Sequence, residues 1–444
     1  MKIWAESENK SFAEMHKDMS GASTEDNEKP KTKILETEIP MLFTEEGHIV
    51  CIDSNRREEL KVGFFGTIRS GKSLLMNRYF NRMFWIGRRK SIWLNDVNNE
   101  SFAMGRPMTH PPFLKKLYLL GEQPIRTPII HLFPHVKNST SVRKYSHISA
   151  EICFDFNKVL DKPEFFFNFE GSQKYFNSLI KDLRKCKSVS DVEVVVSTVR
   201  DPRVRDKIWS TLSYLFEHEL FNFNNKLKRV YCKGTIIDKN NNLQKKYDII
   251  PGTMLMRGCV ALHTHDIVTQ EAFRKQYTEL ILRDIYELQR NDDYFKSTPT
   301  HIAIDEIWSM SSKDNINETI REIARVGTLP IGLSYASQSY IKIDPILANN
   351  TRLSFVFGFK NKDEAKLVAD NYGASNSTVN NMLHLNRDRN ECILLTDEKL
   401  SVYDPMNNEK YFVHNEAIKG IAIPPPSNHK IPSQNEILKP LIVG

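Results

Sequence analysis

No run of eighteen apolar residues occurs in this 444-residue chain, and its N-terminus lacks a signal-peptide pattern. These absences predict a cytoplasmic protein with no intrinsic membrane segment; an anchor, where one is needed, must come from a partner. Cysteine is sparse. Cys51, Cys153, Cys186, Cys232, Cys259 and Cys392 are scattered, and no two form a CxxC pair. That spacing argues for reduced thiols and against a disulfide frame or a zinc site. No internal repeat is visible. What is present is ordinary for a globular chain: 40% hydrophobic residues, 26% charged residues and a net charge of +7. The basic balance suits a polyanionic partner, yet a solvated basic surface explains it equally well.

The chain divides by composition. Residues 1–35 are polar and charged and are expected to stay unpacked. Short apolar runs at Met41–Phe43 and His48–Ile52 read as strands leading into a core over 36–135. Residues 136–250 read as an inserted, largely helical subdomain with a basic hairpin. The core resumes over 251–419. Residues 420–444, which include Pro424-Pro425-Pro426, read as an extended arm.

The densest signal is a phosphate site. Leu60-Lys61-Val62-Gly63-Phe64-Phe65 is apolar enough for a buried strand. It runs into Gly66-Thr67-Ile68-Arg69-Ser70-Gly71-Lys72-Ser73, and Leu74, Leu75, Asn77, Arg78 and Tyr79 follow as a helix. This is GxxxxGK[ST] in its strand–loop–helix setting. Glycines let the backbone curl its N–H groups toward phosphates, and the helix N-terminus adds partial positive charge. Lys72 is expected to meet the β- and γ-phosphates of ATP, and Ser73 to hold Mg²⁺ through its hydroxyl. A second strand, His301-Ile302-Ala303-Ile304, ends in Asp305-Glu306. Asp305 is predicted to hold the Mg²⁺, and Glu306 to act as general base on the attacking water. Adjacent residues at a strand end diverge, so the two acids divide these tasks. A third strand, Ile331–Tyr335, leads to Ala336-Ser337-Gln338. The Gln338 amide can reach the γ-phosphate or the water; a solvent-loop glutamine is the plainer alternative.

Spacing narrows the class. Lys72 and Asp305 stand more than half the chain apart, which excludes simple AAA+ modules and small GTPases. No NKxD guanine signature is present, since Asn361-Lys362-Asp363 lacks the spacer, and no LSGGQ-type signature occurs. The blocks Ile304-Asp305-Glu306-Ile307-Trp308, Glu318–Arg325, Gly327, Gly332, Ser337-Gln338 and Ile343-Asp344-Pro345 through Phe355 resemble, in that order, the HerA/FtsK superfamily. Ile92-Trp93-Leu94-Asn95-Asp96 resembles that family's second strand, and Met254–Leu262 the strand before its long helix. The resemblance covers about 58–135 and 250–360. It implies a RecA-like α/β fold with a mostly parallel central sheet flanked by helices. It further implies a homohexameric ring with ATP sites between subunits, translocating double-stranded DNA in conjugation-type transfer, mobile-element transfer or viral genome packaging. A membrane or nuclease partner protein fits those settings. The family often has a second arginine after the R-x-G glycine. Here Thr328 stands there, leaving Arg325 and Arg352 as trans-acting arginine candidates.

Two other readings compete: a helicase of another P-loop superfamily, and a non-motor scaffold that uses ATP for assembly. The intact Glu306 argues against the scaffold. Between Lys226 and Lys246 stand Lys226, Lys228, Arg229, Lys233, Lys239, Lys245 and Lys246, opposed by Asp238 alone. This reads as a basic hairpin whose Lys239, Lys245 and Lys246 can touch DNA phosphates, or as a solvated outer hairpin. Arg88-Arg89-Lys90 reads as a charge cluster capping a helix end. Asp201-Pro202 reads as a helix start, with Trp209, Tyr214, Phe216, Phe221 and Phe223 as packing residues. His263 and His265 make a metal pair conceivable, but no third ligand is evident.

Overall fold

The computed structural model describes residues 34, 36–54, 60–87, 89–94, 100–127, 129–134, 148–160, 163, 169, 171–217, 221–223, 231–237, 243–249, 259–262, 271–291, 293–297, 299–311, 317–414 and 417–428. Among the described residues seventeen strands follow in chain order. They are β1 (Glu38–Thr44), β2 (Ile49–Asp53), β3 (Lys61–Phe65), β4 (Lys90–Leu94), β5 (Ile129–Pro134), β6 (Ile148–Asp155), β7 (Phe221–Asn222), β8 (Tyr231–Ile237) and β9 (Leu243–Ile249). Then come β10 (Cys259–Leu262), β11 (Thr300–Ile304), β12 (Ile331–Ser337), β13 (Leu353–Val356), β14 (Glu391–Thr396), β15 (Leu400–Asp404), β16 (Glu409–Val413) and β17 (Ala417–Ala422).

The centre is parallel. Strand pairing runs β13-β3-β12-β11-β4-β10-β5-β6, every step parallel. Such strands are covered on both faces, so their sequences read as continuous apolar runs; β3, β4, β11 and β12 are buried at every position. Helix α1 (Lys72–Trp85) packs on this sheet, and most of its residues are buried. Beyond β13 the sheet turns antiparallel, through β14, β17, β1, β2, β15 and β16. This is the RecA-like α/β architecture that the family resemblance implies, with an antiparallel wing that it did not announce.

The described part of 136–250 contributes helices Gln173–Leu183, Val189–Ser197 and Pro202–Glu217. Asp201 opens the last one by accepting the Arg203 and Val204 backbone N–H at 2.9 and 3.3 Å. Phe216 and Phe221 are buried in the main core, with Trp209, Tyr214 and Phe223 packed against it. This section also adds strands. β6 joins the parallel sheet, and β8 and β9 extend it as an antiparallel hairpin. The hairpin turn and Lys239 lie outside the described residues, as do Arg88, Asn95, Asp96, 254–258, His263 and His265.

Two sequence expectations meet a different structure. Residues 417–427 do not run free: β17 pairs with β1 and β14, and 423–427 are buried. Prolines cannot donate backbone hydrogen bonds, but their carbonyls accept. The Pro424 carbonyl accepts from Arg78 at 2.8 Å, and that of Pro426 from Met108 and Ile125 at 2.9 and 3.0 Å. The remainder of the expected arm, 429–444, lies outside the described residues. Arg89 does not cap the helix end either. It is buried and donates to the Ser54 carbonyl at 2.7 Å, while Lys90 opens β4.

Candidate nucleotide site

The parallel strands end in register. Phe65 stands beside Ser337 and Val356, and Ile304 beside Tyr335 and Leu94. The segments that follow therefore meet at one edge of the sheet, the usual ligand edge of an open α/β fold. They are Gly66–Ser73, Asp305-Glu306, Gln338 and Phe357-Gly358.

The loop Gly66–Ser73 is shaped by its glycines. Gly66 has φ +142°, and a Cβ there would stand 3.0 Å from the Phe357 Cβ. Its N–H donates to the Ser337 carbonyl at 3.3 Å, and the Thr67 N–H to Gly358 at 3.2 Å. Gly71 has φ +103°, and a Cβ would meet the Asn390 Oδ1 at 2.8 Å. Side chains brace the curl from within. Ser70 Oγ and Lys72 Nζ both donate to the Thr67 carbonyl, at 2.7 and 2.9 Å. Lys72 is buried and Ser73 half-buried at the start of α1, whose first-turn N–H groups have no intrahelical acceptor. Ile68 and Arg69 are exposed on the outer lip. A curled backbone, a lysine and a helix N-terminus together make an anion cradle.

The acids after β11 diverge. Asp305 is buried; its N–H donates to the Leu94 carbonyl at 3.2 Å, and its Oδ1 accepts the Glu306 N–H at 3.0 Å. Glu306 adopts φ +48°, a left-handed backbone conformation uncommon for a non-glycine residue. Its Oε1 accepts from Gln338 Nε2 at 2.5 Å, and its Oε2 from Trp308 Nε1 at 2.7 Å. The chain thus brings Glu306 and Gln338 into direct contact, at the carboxyl end of β12, which pairs with β3 ahead of the Gly66 loop. Ser73 and Asp305 offer a hydroxyl and a carboxylate, the hard oxygen donors that suit Mg²⁺.

The arginine candidates lie elsewhere. Arg352 precedes β13, its N–H bonded to the Lys61 carbonyl at the amino end of β3, and its guanidinium meets Asp397 at 2.5 Å. Arg325 ends the helix Glu318–Arg325 ahead of β12 and is exposed, without an ion pair among the described residues. Neither is brought to the Gly66 loop of its own chain. Lys245 and Lys246 sit in β9, at the far edge of the sheet.

Sequence reasoning misses two neighbours of the site. The sequence marks Trp308 only as part of a block, not as a donor to Glu306. The turn 386–390 leans on the loop through Asn390, itself at φ +56°. Its Asn386 side chain caps the Asp388 and Arg389 N–H groups at 3.0 and 3.3 Å. The Asn-Arg-Asp-Arg-Asn run is the available signal, since Asn favours such turns.

No family model matches the chain, and no curated protein matches it. Solved structures do. VirB4 of Thermoanaerobacter pseudethanolicus superposes with a TM-score of 0.51 at 10% identity, over 86% of this chain and 97% of that one. The bacterial conjugative coupling protein TrwB superposes at 0.46 and 9% identity, over 87% and 91% of the two chains. The genome packaging NTPase B204 of Sulfolobus turreted icosahedral virus 2 superposes at 0.31 and 10% identity, over 80% and 97%. The last two scores are too low to argue from. The VirB4 match is a match of fold, and it agrees with the architecture that the HerA/FtsK resemblance implied.

Proposed function

We propose that this chain is an ATPase of the HerA/FtsK superfamily whose subunits form a six-membered ring that translocates double-stranded DNA. The observation that carries the reading is the 2.5 Å bond between Glu306 and Gln338 at adjoining strand tips, beside the Gly66–Ser73 cradle. A glutamine in a solvent loop would have no such partner. In this reading Lys72 and the α1 N-terminus bind the β- and γ-phosphates. Ser73 and Asp305 hold Mg²⁺, which neutralises phosphate charge when bound. Glu306 takes a proton as the water oxygen attacks the γ-phosphorus and the bond to ADP breaks. Gln338 touches that base and follows the strand beside the loop, so a change at the γ-phosphate can pass through it to Glu306.

The core over 36–135 and 251–419 would carry this chemistry, with 136–250 inserted. Arg325 is the better trans-acting candidate, since Arg352 is already paired with Asp397. The deciding experiment measures ATP turnover with and without long double-stranded DNA, alongside negative-stain images. Turnover stimulated several-fold by duplex, with six-fold rings, is the expected outcome. Stimulation by single strands alone would favour the helicase reading, and absence of turnover would overturn the enzyme.

A further inference from the structure

The Glu306 carboxylate is gripped from two sides, and one grip takes no part in the proton transfer itself. Trp308 sits in the 3-10 turn Ile307–Ser309 directly after Glu306, and it is 38% exposed. A tryptophan serving only to pack would resemble Trp93, which is 0% exposed and belongs to a core cluster. Trp308 belongs to none of the core clusters. Its Nε1–H donates instead to Glu306 Oε2 at 2.7 Å, while Gln338 holds Oε1 at 2.5 Å. Lys342 Nζ lies 5.1 Å from the centroid of the ring. Lys342 follows Gln338 on the same loop, so one segment supplies one donor to the carboxylate and steadies the other. A charge-assisted hydrogen bond to each oxygen fixes both the plane and the position of the carboxylate.

We infer that Trp308 is a positioning residue for ATP hydrolysis: its indole N–H and the Gln338 amide together hold Glu306 where it meets the attacking water. The inference rests on Glu306 being the general base. A base gains from being held before the reaction, because orienting it then costs nothing in the transition state. Loss of one hydrogen bond to a charged group typically costs about tenfold or more.

The test uses single-turnover and steady-state ATP hydrolysis by the full chain with duplex DNA. Trp308→Phe keeps a flat ring under Lys342 but removes the N–H, and should lower kcat about tenfold with KM within about twofold. Trp308→His is the rescue. Imidazole overlays the five-membered half of indole and places Nε2 where Nε1 was, so kcat should return to within about threefold of wild type. In a Glu306→Gln background, Trp308→Phe should lower the residual rate no further, since the base it positions is gone. A purely structural tryptophan would lower the rate equally in both backgrounds. Unchanged kcat in Trp308→Phe, or full additivity with Glu306→Gln, overturns the inference while leaving the ATPase reading intact. Should Glu306→Gln itself hydrolyse within a few-fold of wild type, the general-base reading falls, and this inference with it.

Discussion

Helix α1 carries three buried cations, Lys72, Arg78 and Arg82, and the first two are bonded differently. Lys72 is 6% exposed and Arg78 0%. The Arg78 guanidinium is spent within the chain. It donates to both Glu122 oxygens at 3.0 and 2.7 Å, to the Pro424 carbonyl at 2.8 Å and to the Pro40 carbonyl. Arg82 joins the same carboxylate. Burial pulls the Arg78 pKa down and Glu122 opposes it; burial also pushes Glu122 up, but the two arginines win and hold it below the usual carboxylate range. Lys72 donates to the Thr67 carbonyl of its own loop at 2.9 Å. A guanidinium bonded to three distant segments ties elements together; the Lys72 to Thr67 bond stays within one loop. The Arg78 cluster joins α1, β1, the segment after Leu119 and the C-terminal prolines, whereas the Lys72 ammonium is bonded to a carbonyl of its own loop.

The largest effects should separate the two. Lys72→Ala is expected to abolish ATP binding by calorimetry and to leave cooperative melting in place, because in the proposed reading it removes the charge that meets the β/γ-phosphates. Arg78→Met should do the reverse at the level of cause, costing about 3–5 kcal/mol of stability by leaving Glu122 buried and half-paired. Denaturant titration of both variants checks this. Equal loss of stability in the two would erase the distinction, and so would normal ATP affinity in Lys72→Ala.

A second contrast lies between the exposed arginines. An arginine acting in trans is worth about 10³–10⁵ in turnover, and an exposed ion pair about 0–1 kcal/mol of stability. Arg325→Ala should therefore lower DNA-stimulated turnover by at least about a hundredfold. Arg352→Ala should leave turnover within about twofold of wild type, because Asp397 already engages it. Mixing Arg325→Ala with Lys72→Ala subunits should restore part of the activity if the arginine serves a neighbour's site. No restoration would return the residue to the helix end where it sits.

The strand-tip arrangement was legible in the sequence because each piece is local. An apolar run followed by a glycine loop, by Asp-Glu or by Ser-Gln needs no knowledge of what lies across the sheet. The Trp308–Glu306 bond is local as well, but nothing in the residue types distinguishes an indole donor from a packing tryptophan. The Arg78–Glu122–Pro424 tie was not legible at all. Its partners come from three distant segments, and a proline run reads as extended whether or not its carbonyls find donors. The antiparallel wing stayed hidden for a similar reason: β1 and β2 were visible as short apolar runs, yet their pairing with β17 and β15 depends on register across the whole chain.

Buried neutrality offers a milder comparison with these buried charges. His301 lies inside β11 with Nε2 2.9 Å from Ser334 Oγ, and burial, helped by Arg89, pushes its pKa down to about 3. His131 is pushed down to about 3 by burial as well. Both stay neutral in the fold, whereas the unfolded chain takes up protons below about 6.5. Stability should therefore be full above that pH and fall as pH drops toward 3, by up to about 1.4 kcal/mol per pH unit for each histidine. Melting at pH 7 and pH 5 measures the fall, and His301→Gln, which keeps a polar partner for Ser334, should reduce it. An unchanged fall would show that His301 does not control acid sensitivity.

The smallest expected effect concerns the basic hairpin, the region farthest from Lys72 in the sheet. From β3 to β9 the order passes β12, β11, β4, β10, β5, β6 and β8. Eight strand spacings at about 4.8 Å put the hairpin roughly 35–40 Å from the phosphate loop of its own chain. At that distance the β9 lysines do not reach the Gly66–Ser73 loop of their own chain, so any role is toward another molecule. β9 pairs with β8 on one side and with no other strand among the described residues. We expect Lys239→Gln, Lys245→Gln and Lys246→Gln together to leave basal ATP turnover within about twofold, since the site is out of reach. If these lysines neutralise DNA phosphates, the salt dependence of duplex binding should become shallower by about one unit for each phosphate no longer neutralised. Titrating DNA affinity against salt separates the two readings of this hairpin: an unchanged slope makes it a solvated outer surface, and a loss of basal turnover would contradict the distance across the sheet.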